Sequence, residues 1–336
     1  MSHRKLPVYL VIDVSESMAG PAIEIVKSSV IKLVSELKQD PHALETAYLS
    51  VITFAREACQ VLPLTEISNV EVPEFKVRTG TSLGKALHLL NDCLKSEVVK
   101  TTAHQKGDYK PLVFLLTDGQ PTDNWRDGAN ALSDSKSFSP NITCIGCGPD
   151  ADIEILRQIS DSVLLITEPS ETSLSKFFVW LTESIKSSSY SIHQNKDGKT
   201  NLENLPQGIE IPIHGSQHSN IPMQVFLHAK CSRFKQPYLM RFGYFAPGGF
   251  YNPLAAHALE EFDESDSDYL PGISSDLLNG VPTCPYCENA GAVVCSCSTI
   301  FCAKTEPEEF VTCPSCEHTL RDSGDTTPFT ISQSQG

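Results

Sequence analysis

The stretch VYLVIDVSES, Val8 to Ser17, constrains the fold of this chain more than any other. Val8 to Ile12 is apolar throughout and does not alternate, which is the pattern of a parallel strand covered on both faces. Asp13, Ser15 and Ser17 follow within five positions. The carboxyl ends of strands are where open α/β sheets place their ligands. One carboxylate and two hydroxyls there make an all-oxygen cluster, suited to Mg²⁺ or Mn²⁺ and not to a thiophilic metal. The same residues also suit an ordinary helix N-cap and turn, so this stretch alone leaves both readings open.

Residues 6–188 alternate strand and helix patterns. Ile23, Val26, Val30, Val34 and Leu37 recur at helical spacing, and Pro41 is expected to close that helix region. YLSVITF (48–54) reads as a strand, with CQVLPL (59–64) beside it as an antiparallel edge. Leu83, Ala86, Leu87, Leu90 and Leu94 mark a second helix face. VFLLT, NITCIGCG and SVLLIT read as strands, with helices expected near 127–136, 152–159 and 174–185. Strands separated by helices imply right-handed crossovers and a doubly wound, mainly parallel α/β sheet. That domain is assigned to residues 1–188 and residues 189–218 to a linker, on the polar, aperiodic run SSSYSIHQNKDGKTN (187–201). Residues 219–336 are read as a small β-rich, zinc-ribbon-like domain, with MQVFLHAKC and PYLMRFGYF as strands joined by a basic turn. The acidic stretch 259–272 reads as a solvated loop.

Two further segments complete the first site. Thr81 opens the helix in TGTSLGKALHLL, and PLVFLLTDGQPTD ends an apolar strand on Asp118. D-x-S-x-S, then a Thr before a helix, then an Asp closing a later strand, resembles the von Willebrand factor A domain. Its metal-ion-dependent adhesion site draws on three such segments in that order. The resemblance implies a Mg²⁺ site on Asp13, Ser15, Ser17, Thr81 and Asp118. The hydroxyls of Ser15, Ser17 and Thr81 would touch the ion, and the two carboxylates would act largely through water.

Net charge is −15, which opposes non-specific attraction to nucleic acid or an anionic membrane. No apolar run approaches the roughly 18 residues of a transmembrane helix, and the start lacks a small-residue cleavage site. A cytoplasmic protein is expected. Seven of the 12 cysteines fall between Cys284 and Cys316, a clustering that points to metal more than to disulfides. CPYC (284–287) and CPSC (313–316), with 25 residues between them, are two C-P-x-C knuckles. Two such pairs can wrap one Zn²⁺ tetrahedrally, so Cys284, Cys287, Cys313 and Cys316 are assigned to one zinc. Cys295, Cys297, Cys302 and His318 are further candidate ligands, enough with these for a second zinc; packing of the central three as buried thiols is the alternative. Glu288 and Glu317 stand where such knuckles often carry Gly. Cys144 and Cys147 have redox-motif spacing but neither Pro nor Trp nearby. They are read as core thiols, as are Cys59, Cys93 and Cys231.

An A domain with LLTDGQPTD, then KCSRFKQPYLMRF and a cysteine-rich end, is similar to the tellurium-resistance TerY group. That resemblance implies a bacterial tellurite or chemical stress-response role, alongside a protein kinase and a PP2C-type phosphatase. The expected function is a non-enzymatic scaffold whose Mg²⁺ docks an acidic or phosphorylated group of a protein partner. One alternative is a Mg-dependent phosphohydrolase of the haloacid dehalogenase type with Asp13 as nucleophile. Those enzymes carry a second acid two residues on, where this chain has Ser15. No G-x-S-x-G elbow is present, and His88 and His104 are expected to face solvent. A nucleic-acid-binding zinc ribbon, with Lys230, Arg233 and Lys235 as its basic turn, is the other alternative.

Overall fold

Eight consecutive buried residues, Leu6–Asp13, form β1, an interior strand of a seven-stranded sheet. The computed structural model describes residues 4–102, 105–118, 120–134, 140–148, 151–193, 205–212, 224–245, 248–259, 272–304, 310–321 and 330–331. Two compact units result: Met1–Val77 with Thr81–His218, and Ser219–Gly336 with Arg78–Gly80.

In the first unit β1 is followed by α1 (Pro21–Gln39), α2 (Pro41–Thr46), β2 (Ala47–Phe54) and β3 (Ala58–Glu66). Then come α3 (Leu83–Glu97), β4 (Leu112–Thr117), α4 (Trp125–Asp134) and β5 (Asn141–Cys147). The unit closes with α5 (Ile153–Ile159), β6 (Ser162–Ile166), α6 (Glu171–His193) and β7 (Ile209–Glu210). Strand order is β3-β2-β1-β4-β5-β6-β7, parallel except for the two edges. Successive side chains of a strand point to opposite faces, and β1 serves two cores this way. Val8, Leu10 and Ile12 pack with residues of α1 and α6, while Tyr9 and Val11 pack with residues of α3, α4 and α5. The sheet is doubly wound, as the alternation of elements predicts.

Two boundaries differ from the sequence reading. Pro41 opens a helix as well as ending one: Asp40 Oδ1 accepts the Ala43 amide at 2.8 Å, and Pro at the first position of α2 has no amide to satisfy. The stretch read as a linker from 189 is structured at both described ends. Helix α6 runs on to His193 with Ser188 and Ser189 buried, and Ile209–Glu210 pairs with β6. Polar serines hid this turn; Ser188 satisfies its hydroxyl on the helix itself, donating Oγ to the Ser184 carbonyl at 2.9 Å.

The second unit is β-rich. Strands β8 (Gln224–Lys230), β9 (Pro237–Phe245) and β10 (Phe250–Ala258) form an antiparallel meander. After β11 (Ile273–Ser274), the hairpin of β12 (Gly291–Val294) and β13 (Ile300–Ala303) joins that meander, with β13 parallel to β8. Strands β14 (Phe310–Thr312) and β15 (Thr319–Arg321) pair separately, and β16 (Thr330–Ile331) pairs with β11. The core contains Val225, Leu227, Tyr238, Met240 and Phe242, together with Cys231, Cys284 and Cys302. Most of the acidic stretch 259–272 lies outside the described residues, as does His104.

Candidate metal sites

The first site lies where β1 and β4 are neighbours and their following connections leave to opposite faces, the switch point at which open α/β sheets bind ligands. Asp13 ends β1 and Asp118 follows β4. A single chain of hydrogen bonds joins them. Thr117 Oγ1 donates to Asp13 Oδ2 at 2.6 Å, and the Ser15 amide donates to Asp13 Oδ1 at 2.9 Å. Ser15 Oγ lies 3.0 Å from Ser17 Oγ, which donates to Asp118 Oδ1 at 2.6 Å. The one proton of Ser17 goes to Asp118, so Ser17 is free to accept from Ser15, whose hydroxyl also faces Asp13. Asp13, Ser15 and Thr81 have no exposed surface, and Ser17 is buried.

Thr81 is tied to the loop after Asp118: its carbonyl accepts the Thr122 amide at 3.0 Å, and its amide donates to Thr122 Oγ1 at 3.3 Å. One turn on, Asp123 caps α3 from that loop, accepting the Gly84 and Lys85 amides at 2.9 and 3.0 Å. Ser82, at the N-cap position, donates its hydroxyl instead to the Arg56 carbonyl at 2.9 Å. Asp123 and Thr122 therefore fix the Thr81 loop against the Asp118 loop, and neither was singled out from the sequence. The TDGQPTD run carried the signal, a second carboxylate five residues beyond the first.

Burial pushes the Asp13 carboxyl up to about 6, against the pull of hydrogen bonds from Thr117 and Ser15; the charge of Glu16 adds to the rise. Glu16, also buried, was passed over in the sequence reading. Several carboxylates held this close out of water call for a cation. The donor set, all oxygen from hydroxyl and carboxylate, fits a hard divalent ion.

The thiols group differently from the sequence expectation. Cys284, Cys287, Cys313 and Cys316 do not converge on one point. Cys231, Cys284, Cys287 and Cys302 form one group, and Cys295, Cys297, Cys313 and Cys316 another, with all four sulfurs in each within 4.8 Å of one another. Separations of 3.4 Å (Cys287–Cys302), 3.5 Å (Cys295–Cys316) and 3.7 Å (Cys297–Cys313) come close to the edge of a Zn–S tetrahedron, roughly 3.8 Å for bonds of about 2.3 Å. The physical reason is the β12–β13 hairpin. Its pairing with β8 sets Phe301 opposite Lys230, which brings Cys302 beside Cys231 and closes the first group. The turn at the hairpin's other end carries Cys295 and Cys297 to the second knuckle. Cys231 is thus a candidate ligand and not merely a core thiol. His318 is exposed and belongs to neither group; its carbonyl accepts the Cys313 amide at 2.9 Å.

A shared turn explains why Cys231 was missed. In the two C-P-x-C knuckles the residue four on from the first Cys donates its amide back to that Cys carbonyl at 3.0 Å, Glu288 to Cys284 and Glu317 to Cys313. Lys235 does the same to Cys231 at 2.9 Å. Glu288, Glu317 and Lys235 have φ of 62°, 60° and 58°, and with Ser298 (φ 66°) in the Cys295 turn they are the positive-φ non-glycine residues among those described. CSRFKQ is therefore a knuckle in which Phe234 replaces the second Cys, and Cys302 supplies the missing ligand. Amides of Ser232 and Phe234 donate to Cys302 Sγ and Cys231 Sγ at 3.3 and 3.4 Å. Burial alone would raise the Cys302 thiol, but contacts from Ser232, Cys287 and Cys284 together bring it down.

Cys144 and Cys147 are buried thiols, as expected, and three positions apart on β5 they enter different cores, so they do not face each other. Burial holds Cys144 up at about 12. Cys93 is buried, whereas Cys59 is exposed on the edge strand β3, contrary to its reading as a core thiol. His88 is exposed on α3. No helix among the described residues is long and apolar enough to cross a membrane.

Two family models match the chain: the von Willebrand factor type A domain over residues 8–178, and the TerY-C metal binding domain over residues 222–336. An uncharacterised protein of Synechocystis is 28% identical over 180 residues, which span 50% of this chain and 40% of that protein. The ArnB paralogue VWA2 from Sulfolobus acidocaldarius is similar in structure at 22% identity and a TM-score of 0.39, covering 52% of this chain and 46% of that one. A von Willebrand factor type A protein from Catenulispora acidiphila is similar at 20% identity and a TM-score of 0.40, covering 55% and 43%. This chain, whose carboxyl-terminal part matches the TerY-C metal binding domain, belongs to the von Willebrand factor type A domain family.

Proposed function

We propose that the protein is a non-enzymatic scaffold that captures an acidic or phosphorylated partner at its A-domain site and carries two zinc centres in its second unit. The observation that carries the reading is the hydrogen-bonded chain from Asp13 through Ser15 and Ser17 to Asp118, closed off by the tethered Thr81 loop. Ser15, Ser17 and Thr81 would hold Mg²⁺ or Mn²⁺ through their hydroxyls, with Asp13 and Asp118 orienting its waters. Such an ion supplies a hard positive charge with a coordination position for a carboxylate or phosphate. Catalysis by Asp13 is disfavoured, because it is fully buried and both its oxygens are engaged, by Thr117 and by the Ser15 amide. Each thiol centre would bind Zn²⁺ through four cysteines, stapling a domain with a small core. The resemblance to the tellurium-resistance group supports a place in a tellurite or chemical stress response, with a kinase or phosphatase as the class of partner.

The test is capture from native lysate by wild type, Thr81→Ala and Asp118→Ala, with Mg²⁺ and with EDTA. Both variants are expected to stay folded, since neither opens a large core cavity, and loss of an outer-shell carboxylate such as Asp118 weakens metal affinity about 10–100-fold. Capture is expected to fall in both variants and in EDTA, to return with Mg²⁺ only in wild type, and to leave zinc content unchanged. Full capture by folded Asp118→Ala protein in EDTA would place the partner elsewhere.

A further inference from the structure

We propose that the second thiol centre is a peroxide-sensitive switch that opens while the first stays closed. This rests on the reading above that both centres hold metal. The two are chemically alike, four cysteines each, but not equally reachable. In the first, Cys231, Cys284 and Cys302 are buried and Cys287 is half-buried. In the second, Cys295 and Cys313 are buried, but Cys297 and Cys316 are exposed. A thiolate is oxidised where a reagent can approach its sulfur. Cys297 and Cys316 offer two such sulfurs within 4.8 Å of each other. A small movement brings that separation to the roughly 2.05 Å of a disulfide.

The chemistry balances with a hydroperoxide as oxidant. The Cys297 sulfur attacks one peroxide oxygen, the O–O bond breaks, and Cys297 becomes a sulfenic acid as the other oxygen leaves, with a proton from solvent, as water or alcohol. The Cys316 sulfur then attacks that of Cys297, the S–O bond breaks, and the hydroxide takes a second solvent proton to leave as water. The two sulfurs together lose two electrons, and the peroxide is reduced by the same two. Half the ligand set is gone, and the centre no longer holds its metal.

The fold gives this loss a local consequence. Among the described residues, strands β14 and β15 pair only with each other. Beyond the centre they rest on a small cluster in which Val311 and Leu320 lie with Val293 and Phe301. Polar ties from this knuckle are Lys230 to Ser315 at 2.9 Å and Lys235 to Glu317 at 3.5 Å, both exposed and weak. The five-stranded sheet keeps the first centre, through Cys302 on β13 and Cys231 after β8. Oxidation therefore releases the hairpin at 310–321 and uncovers the apolar side of Val311 and Leu320.

The experiment treats the zinc-loaded full chain with hydrogen peroxide. It follows zinc with a chromogenic chelator, maps disulfides and free thiols by peptide mass analysis, and records hydrogen exchange over 310–321. The expected result is release of one of the two equivalents, a Cys297–Cys316 disulfide, and faster exchange confined to that hairpin. In untreated protein, alkylation at Cys297 and Cys316 is expected to be about tenfold or more faster than at Cys231, Cys284 and Cys302. Cys316→Ser protein is expected to retain first-centre zinc that resists peroxide. Release of both metals together, first loss from the other centre, no release at all, or stripping of first-centre zinc from Cys316→Ser would each overturn the switch. A zinc content below two equivalents before any peroxide is added would instead overturn the two-metal reading beneath it.

Discussion

Glu288 and Glu317 carry side chains at positions where their knuckles hold a left-handed backbone, with φ of 62° and 60°. An L-residue there costs roughly 1–2 kcal/mol, and glycine removes most of that, less the entropy it adds to the unfolded chain. Glu288→Gly and Glu317→Gly should each stabilise the metal-loaded second unit by up to about 1 kcal/mol. The Lys235 ion pair lost with Glu317 is exposed and subtracts little. A melting temperature that drops in both variants would show that the side chains matter more than the turn. Asp13 makes the opposite kind of statement. Burial lifts its carboxyl from 3.8 to about 6, so the proton favours the folded state. Its contribution is fully present below pH 3.8 and is lost as pH rises through about 6 in metal-free protein. A cation competes with that proton. Added Mg²⁺ should raise the A-domain melting temperature well above pH 6 and have little effect below it, as thermal melts across that range with and without Mg²⁺ would reveal.

At the level of elements, helix α3 begins without a cap of its own and borrows Asp123 from the loop after β4. Asp123→Ala should therefore cost about 1 kcal/mol of A-domain stability. It should also weaken Mg²⁺ binding, because the Thr81 and Asp118 loops lose a shared anchor; urea melts and metal titration calorimetry measure the two effects. Stability reduced with Mg²⁺ affinity intact would assign Asp123 to the helix alone. Such cross-loop contacts mark the limit of what the sequence discloses. Strands β1 and β4 were legible because burial on both faces leaves unbroken apolar runs, and α1 and α3 because a helix buried on one side repeats its apolar residues. The meeting of Asp13, Ser15, Ser17 and Asp118 was legible because the motif segments sit at strand and helix ends. Asp123 was not, since a cap supplied from another loop leaves no local pattern. Nor was the partition of the thiols, which depends on the pairing of β13 with β8, a contact between residues some 70 positions apart, as in Ser232 to Cys302.

For the first unit as a whole, the end of α6 and the edge strand β7 belong to the fold and not to a tether. Ile192 and Ile209 are buried, and Tyr190 meets the His42 ring edge-on at 5.2 Å. A fragment ending at residue 188 should be less stable than one ending at residue 212 by about 3 kcal/mol, the burial of two isoleucines. Equal unfolding midpoints for the two fragments would return residues 189–212 to the status of a linker.

The β12–β13 hairpin, which carries ligands of both thiol centres, also sets an order of assembly. Until the first centre closes, Cys295 and Cys297 ride on a loose strand pair, and joining them to Cys313 and Cys316 must fix chain at both ends of that loop. Once Cys302 is drawn to Cys231, the hairpin is anchored and its tip presents two sulfurs already in place. Dependence between the centres is therefore one-way: damage at Cys302 reaches the second centre, while damage at Cys316 stops where it occurs. With metal at both centres, a domain wired in this direction would lose and reload its outer metal without revisiting the step that folded it.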